Sequence, residues 1–173
     1  IEFRHVSFQY PGSETYALKD INLIIKGGQK LSIVGENGAG KTTFVKLLTR
    51  LYEPTEGDIF LNGVNIKDIA YDQYMSVFST VFQDYKLFSF SLKENIAMAM
   101  PIYEGKVREV LRYVGLDEKL EKLPKGIDTP IYKNFAEAGF EPSGGEGQKI
   151  ALARALYKDA PIVILYEPTA GLD

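Results

Sequence analysis

The sequence predicts an α/β fold: a P-loop core with a parallel or mixed sheet, an antiparallel β part at the N-terminal side, and an inserted helical subdomain. Three observations predict it. Gly35, Glu36, Asn37, Gly38, Ala39, Gly40, Lys41, Thr42 and Thr43 form a Gly-x4-Gly-Lys-Thr pattern between the apolar run 31–34 and a helical pattern at Phe44, Val45, Leu47 and Leu48. That is where a strand is expected to hand over to a helix. Residues 162–165 are continuously apolar, as in a parallel strand covered on both faces. Strand patterns toward both ends flank a helix-rich middle, so a helical subdomain over 84–147, carrying the Ser-Gly-Gly helix start, is expected inside a core made of 1–83 and 148–173.

The elements follow in order. Residues 1–10 alternate through Phe3, Val6, Phe8 and Tyr10 and break at Pro11-Gly12, giving a strand and a turn; 21–25 gives a second strand, ending at Gly27-Gly28. After the P-loop helix, 53–57 is a turn, and 58–61, Asn62-Gly63 and 64–66 make a hairpin with a two-residue loop. An apolar strand at 77–82 closes at Gln83-Asp84. Helices are expected over 91–100 and 103–114, the second with Val107, Val110, Leu111 and Val114 on one face and Gly115 at its end. A Pro/Gly-broken loop spans 123–130. Ser143-Gly144-Gly145 then opens a helix over 146–157, closed by Asp159-Ala160-Pro161 before the last strand.

The bulk numbers suit one domain with a lobe inserted. The 173 residues are 45% hydrophobic and 25% charged, ordinary for a globular chain. A net charge of −3 gives no basic footprint for nucleic acid. No cysteine is present, which excludes disulfides and thiolate metal sites. No run of 18 apolar residues exists, and no charged-then-apolar leader. The chain starts inside a strand pattern and stops shortly after another, so a fragment of a longer polypeptide is expected.

The loop spacing has a chemical reason. Glycines at 35, 38 and 40 let the backbone turn sharply and approach a ligand closely, aiming N–H groups at phosphate oxygens with help from the positive end of the following helix. Lys41 brings a charge for the outer phosphates, and Thr42 is the expected Mg²⁺ ligand. Ser143 can cap the helix that follows it, and the adjacent glycines leave N–H groups open to an anion; a plain helix cap is the other reading. Tyr10, at a strand end, either stacks on a base or is an ordinary half-buried tyrosine. His5 is assigned no role.

With these motifs placed, the whole chain resembles the nucleotide-binding domain of ATP-binding cassette proteins of the exporter type. The most specific stretch is PSGGEGQKIALARALYKDAPIVILYEPTAGLD, residues 142–173. The resemblance implies that Tyr10 stacks on adenine, and that Gln83 senses Mg²⁺ and the γ-phosphate and links to a transmembrane partner, which residues 84–90 face. It implies head-to-tail pairing of two such domains, with Ser143 and Gly145 closing over ATP on the opposite subunit's P-loop. Glu167 then polarises the attacking water as a general base, and residues 170–173 cross the dimer interface. ATP and Mg²⁺, a membrane exporter's transmembrane domain and the cytoplasmic face of the cell membrane follow as expectations.

Three positions depart from the family pattern. Tyr166 stands where the family has the aspartate that helps hold hydrated Mg²⁺, and a phenol carries no negative charge at neutral pH. Pro142 replaces a leucine, and Glu146 the commoner glutamine. A γ-phosphate-contacting histidine of the family falls beyond residue 173. The leading expectation is therefore an ATPase driving export. The alternative is a module that binds nucleotide but hydrolyses it poorly. A soluble cassette protein acting in translation or DNA repair is the third reading, disfavoured by the short insertion and acidic balance.

Overall fold

The computed structural model describes residues 1–82, 84–133 and 139–166, and the chain divides into two compact units, Ile1–Met75 and Ser76–Asp173. In the first unit, strand β1 (Glu2–Phe8) pairs antiparallel with both β2 (Leu18–Ile24) and β3 (Glu56–Leu61). A short β4 (Val64–Asn65) completes the order β2-β1-β3-β4. Asn62 and Gly63, with φ of 50° and 82°, both lie in the left-handed region, as the expected two-residue hairpin loop requires.

Phe3, Val6 and Phe8 are all buried, although 3 and 6 have opposite parity. A bulge resolves this: the pairing to β3 shifts between Arg4 and Ser7, and His5 takes a φ of 51°. Gly57 lies opposite, where a Cβ would meet the His5 carbonyl oxygen at 2.3 Å, so only glycine fits. His5 itself is held by Asn22, which accepts its N–H at 2.8 Å, and by Asp20 at 2.8 Å from Nδ1. Helix α1 (Lys41–Leu48) buries Phe44, Val45, Leu47 and Leu48, with Phe44 stacked on Phe3 at 4.7 Å. Past it, Arg50 donates to the carbonyls of Ile66 and Ile69, both at 2.7 Å, and fixes a 3-10 turn (Ile66–Asp68) ahead of α2 (Tyr71–Ser76). Tyr74 is wholly buried and donates its hydroxyl to Leu48 O at 2.7 Å.

In the second unit, β5 (Phe78–Val81) and β6 (Ile162–Leu165) run parallel, Phe78 opposite Ile162 and Val81 opposite Leu165. Around α6 (Gly144–Lys158) gather α3 (Leu92–Ala97) and α4 (Glu104–Tyr113), with α5 (Asp117–Lys122) following α4. Ile96, Val107, Leu111, Ile127, Ile131 and Ile150 form the centre of this core. The face of α4 expected to be apolar is the buried one: Val107, Val110, Leu111 and Val114.

The strand expected at residues 31–34 is not formed. Those residues have no ladder partner among the described residues, and Leu31, Ile33 and Val34 are 41%, 43% and 90% exposed. A strand is defined by its neighbours' hydrogen bonds, and an apolar run alone does not supply them. The parallel sheet accordingly consists of β5 and β6 among the described residues.

Candidate functional site

The phosphate loop reaches α1 through Gly38 and Gly40, with φ of 86° and 87°. At Gly40 a Cβ would lie 2.7 Å from Ala17 O and 2.8 Å from Leu18 Cδ2, so both conformation and space demand glycine. Gly40 is the N-cap of α1 and, as a glycine, makes no side-chain cap bond to it. The positive N-terminal end of the helix is thereby brought to the loop side, the arrangement that suits an anion. The ammonium of Lys41 is folded onto the loop, donating to Gly35 O at 2.6 Å and to Glu36 O at 2.9 Å. An ammonium has three donors, so one remains for a phosphate oxygen. Uncapped helix start, glycine-built turn and tethered cation together fit a polyphosphate.

Tyr10 sits beside this loop. Its hydroxyl pairs with Thr43 Oγ1 at 2.9 Å, and its ring meets Phe8 edge-on at 4.9 Å and Tyr52 edge-on at 5.7 Å. Ser13 donates its N–H to Tyr10 O at 3.0 Å across the Pro11-Gly12 turn. Thr42 is exposed in the first turn of α1. Of the two metal-ligand candidates, Gln83 lies outside the described residues, as do the general-base candidate Glu167 and residues 170–173.

In the second unit Ser143 does what a plain cap does. Its hydroxyl accepts from the Glu146 N–H at 3.3 Å while the Glu146 carboxylate accepts from the Ser143 N–H at 2.8 Å. The Ser143 backbone bond, with the Lys119 ammonium 3.0 Å away, holds the Glu146 carboxyl below the usual glutamate range. Gly145 lies half-buried in the first turn of α6. Tyr166 follows β6, donating its N–H to Val81 O at 2.9 Å with its ring 6.3 Å from that of Phe82.

Three residues here escape a reading by motif. Tyr85 donates its hydroxyl to Gly144 O at 2.9 Å, and at Gly147 a Cβ would meet that hydroxyl at 2.6 Å, so the tyrosine rests on the start of α6. Asn95, fully buried, accepts from Phe88 N at 2.8 Å and donates to Phe88 O at 2.9 Å. Arg154 donates to Asn95 O at 2.8 Å and Lys86 O at 3.1 Å, and burial pushes its guanidinium down. Together they fix the segment 84–90. A glycine one turn into α6, opposite an aromatic, is the only sequence signal for any of these. A surface cavity of about 630 Å³ lies between β5 and residues 97–103, away from these motifs. Arg154 on its rim is spent on carbonyls, and Lys106 lies 3.7 Å from Asp159.

Residues 18–170 match the family model described as ABC transporter. The subtilin transport ATP-binding protein SpaT of Bacillus subtilis is 43% identical over 176 residues, all of this chain and 28% of that protein. The ATP-dependent lipid A-core flippase of Paraburkholderia xenovorans is 40% identical over 176 residues, again all of this chain and 29% of the relative. A bacterial Atm1-family ABC exporter with ATP bound superposes with a TM-score of 0.87 at 32% identity, over 99% of this chain and 29% of that one. The chain thus spans under a third of the length of these relatives.

Proposed function

The chain belongs to the ABC transporter family, and from that premise we propose that it is the ATP-binding domain of an exporter, coupling ATP binding and hydrolysis to transport across a membrane. The observation that carries this reading is the uncapped, glycine-built start of α1 with the Lys41 ammonium tethered at Gly35 and Glu36. In it, residues 35–43 hold the triphosphate of ATP and Tyr10 packs on the base. Thr42 and Gln83 hold Mg²⁺, which when bound neutralises charge on the outer phosphates. Glu167 accepts the proton of the attacking water. Ser143 and Gly145 close over ATP on a second, head-to-tail copy. Residues 84–147 form the subdomain that carries this surface. The segment 84–90, fixed by Asn95 and Arg154, meets a transmembrane domain, which places the chain on the cytoplasmic face of the cell membrane.

Calorimetry with ATP and Mg²⁺ on the full-length protein tests it. Wild type binds, Lys41→Ala loses most of the affinity, and Glu167→Gln binds but does not turn over. Equal affinity in wild type and Lys41→Ala would sink the reading.

One observation favours a second reading, nucleotide binding with poor hydrolysis. Tyr166, at the end of β6, brings a neutral ring where the family has a carboxylate. On that reading Tyr166→Asp raises turnover by at least an order of magnitude. A wild type already active with Mg²⁺, and little changed by Tyr166→Asp, would eliminate it.

A further inference from the structure

We propose that Tyr85 is a positioning residue for the start of α6: by its bond to the Gly144 carbonyl, its hydroxyl sets the direction of the Gly145 N–H that meets ATP on the second copy. This rests on the reading in which Ser143 and Gly145 close over that nucleotide. A peptide unit is planar and trans, so the Gly144 C=O and the Gly145 N–H are one rigid piece pointing opposite ways. Tyr85 donates to Gly144 O at 2.9 Å and holds that piece from its far end. A carbonyl has two lone pairs, so the helix's own bond and the phenol are both accommodated. The Gly145 N–H, in the first turn of α6, has no carbonyl of its own helix to meet. With glycine on both sides of this peptide no side chain restrains it, and a contact from outside has the most to fix.

Gly147 supports the assignment independently. Glycine inside a helix is unfavourable, so its presence there needs a cause. The capping box is not that cause: α3 opens on the same box, Ser91 with Glu94, and carries Asn95 where α6 carries Gly147. The phenol is the cause, since a Cβ at residue 147 would stand 2.6 Å from the Tyr85 hydroxyl and 3.1 Å from its ring. The ring packs beside Val81, Ala151 and Ala155, and the next residue, Lys86, is held by Arg154 at its carbonyl, so the hydroxyl arrives from a fixed base. Burial, with a smaller push from Tyr132, raises the phenol above its ordinary value, and the donated proton stays in place at neutral pH.

The test is calorimetry of the full-length protein with Mg²⁺ and the non-hydrolysable β,γ-imido analogue of ATP, beside thermal unfolding without nucleotide. Tyr85→Phe keeps the ring and loses the hydroxyl, and is expected to weaken the analogue on the order of fivefold, the range of one hydrogen bond. Gly147→Ala, which pushes the hydroxyl off its seat, is expected to give a similar loss, and the double variant no more than either single one. A Tm lowered in Tyr85→Phe with unchanged affinity in the folded protein would show a brace with no part in nucleotide binding, and would overturn the proposal. So would losses that multiply in the double variant. If Gly147→Ala folds poorly, Tyr85→Phe decides alone by the same criterion. Ser143→Ala separates the proposal from the reading beneath it. If Ser143→Ala weakens the analogue and Tyr85→Phe does not, the proposal alone fails; if neither does, the closing of α6 over ATP fails and takes the proposal with it.

Discussion

Gly40 shows how much one residue can decide. Its φ of 87° is strained for any side chain, and a Cβ would press on backbone at 2.7 Å, where nothing flexible can yield. Gly40→Ala should therefore cost about 2 kcal/mol or more of stability in urea denaturation. A substitution tolerated at under half that cost would mean the loop rearranges freely. Lys41→Ala, by contrast, should leave stability nearly unchanged, since its two bonds go to exposed carbonyls, while ATP affinity falls about tenfold to a hundredfold. Glu146 adds a pH dependence with a definite sign. Its carboxyl titrates below its ordinary 4.5 in the folded chain, so it contributes stability above that pH and loses it as pH falls through the lowered value. Glu146→Gln should flatten the acid limb of a stability-against-pH curve below about pH 5, and an unchanged limb would count against the capping box. The loop was legible in the sequence because phosphate chemistry dictates its spacing. The Tyr10 hydroxyl's partner was not, because nothing in a strand's pattern names a threonine 33 positions away.

Among the elements, those that bury a regular apolar face could be read in advance. The stripe of α4, the capped start of α6, the Asn62-Gly63 hairpin and the parallel β6 all stand where their patterns put them. Two helices gave no such signal: α5, Asp-Glu-Lys-Leu-Glu-Lys, buries no residue, and α2 buries Tyr74 alone. Periodicity is a record of burial, so a short helix with little buried leaves none. The bulge at His5 was half visible, in the odd step from Phe3 to Val6. Asn95 marks another limit, since a buried amide looks like a surface one until its partners are known. It joins α3 to the carbonyls of Phe88, Phe90 and Ser91. Asn95→Ala leaves the Phe88 N–H without its acceptor, while the three carbonyls keep backbone donors from Phe90, Ile131 and residue 95 itself, and should cost about 1–3 kcal/mol. Hydrogen exchange at residues 84–90 should rise with it; protection unchanged there would show that Arg154 holds the segment without the asparagine.

At the scale of the whole chain, the unexpected feature is apolar surface carried separately by each unit. In Ile1–Met75 the run 31–34 presents Leu31, Ile33 and Val34 to solvent without a ladder. In Ser76–Asp173 the strand β6 has Val163 and Leu165 about half exposed, at 47% and 50%. Both stretches are β-prone and uncharged, and an exposed strand edge of that composition templates pairing with another chain. Sequence patterning had made 31–34 a strand leading into the P-loop helix and 162–165 a strand covered on both faces, because a continuous apolar run is what such a strand looks like. The consequence can be measured on the 173-residue chain expressed by itself. It should elute from size exclusion as concentration-dependent oligomers, and a lysine at a single exposed position, Val34→Lys, should shift it measurably toward monomer. Val163→Lys should act in the same direction, since each stretch adds its own apolar surface to the association. A wild-type chain that stays monomeric as its concentration is raised tenfold would mean that these runs are covered in solution.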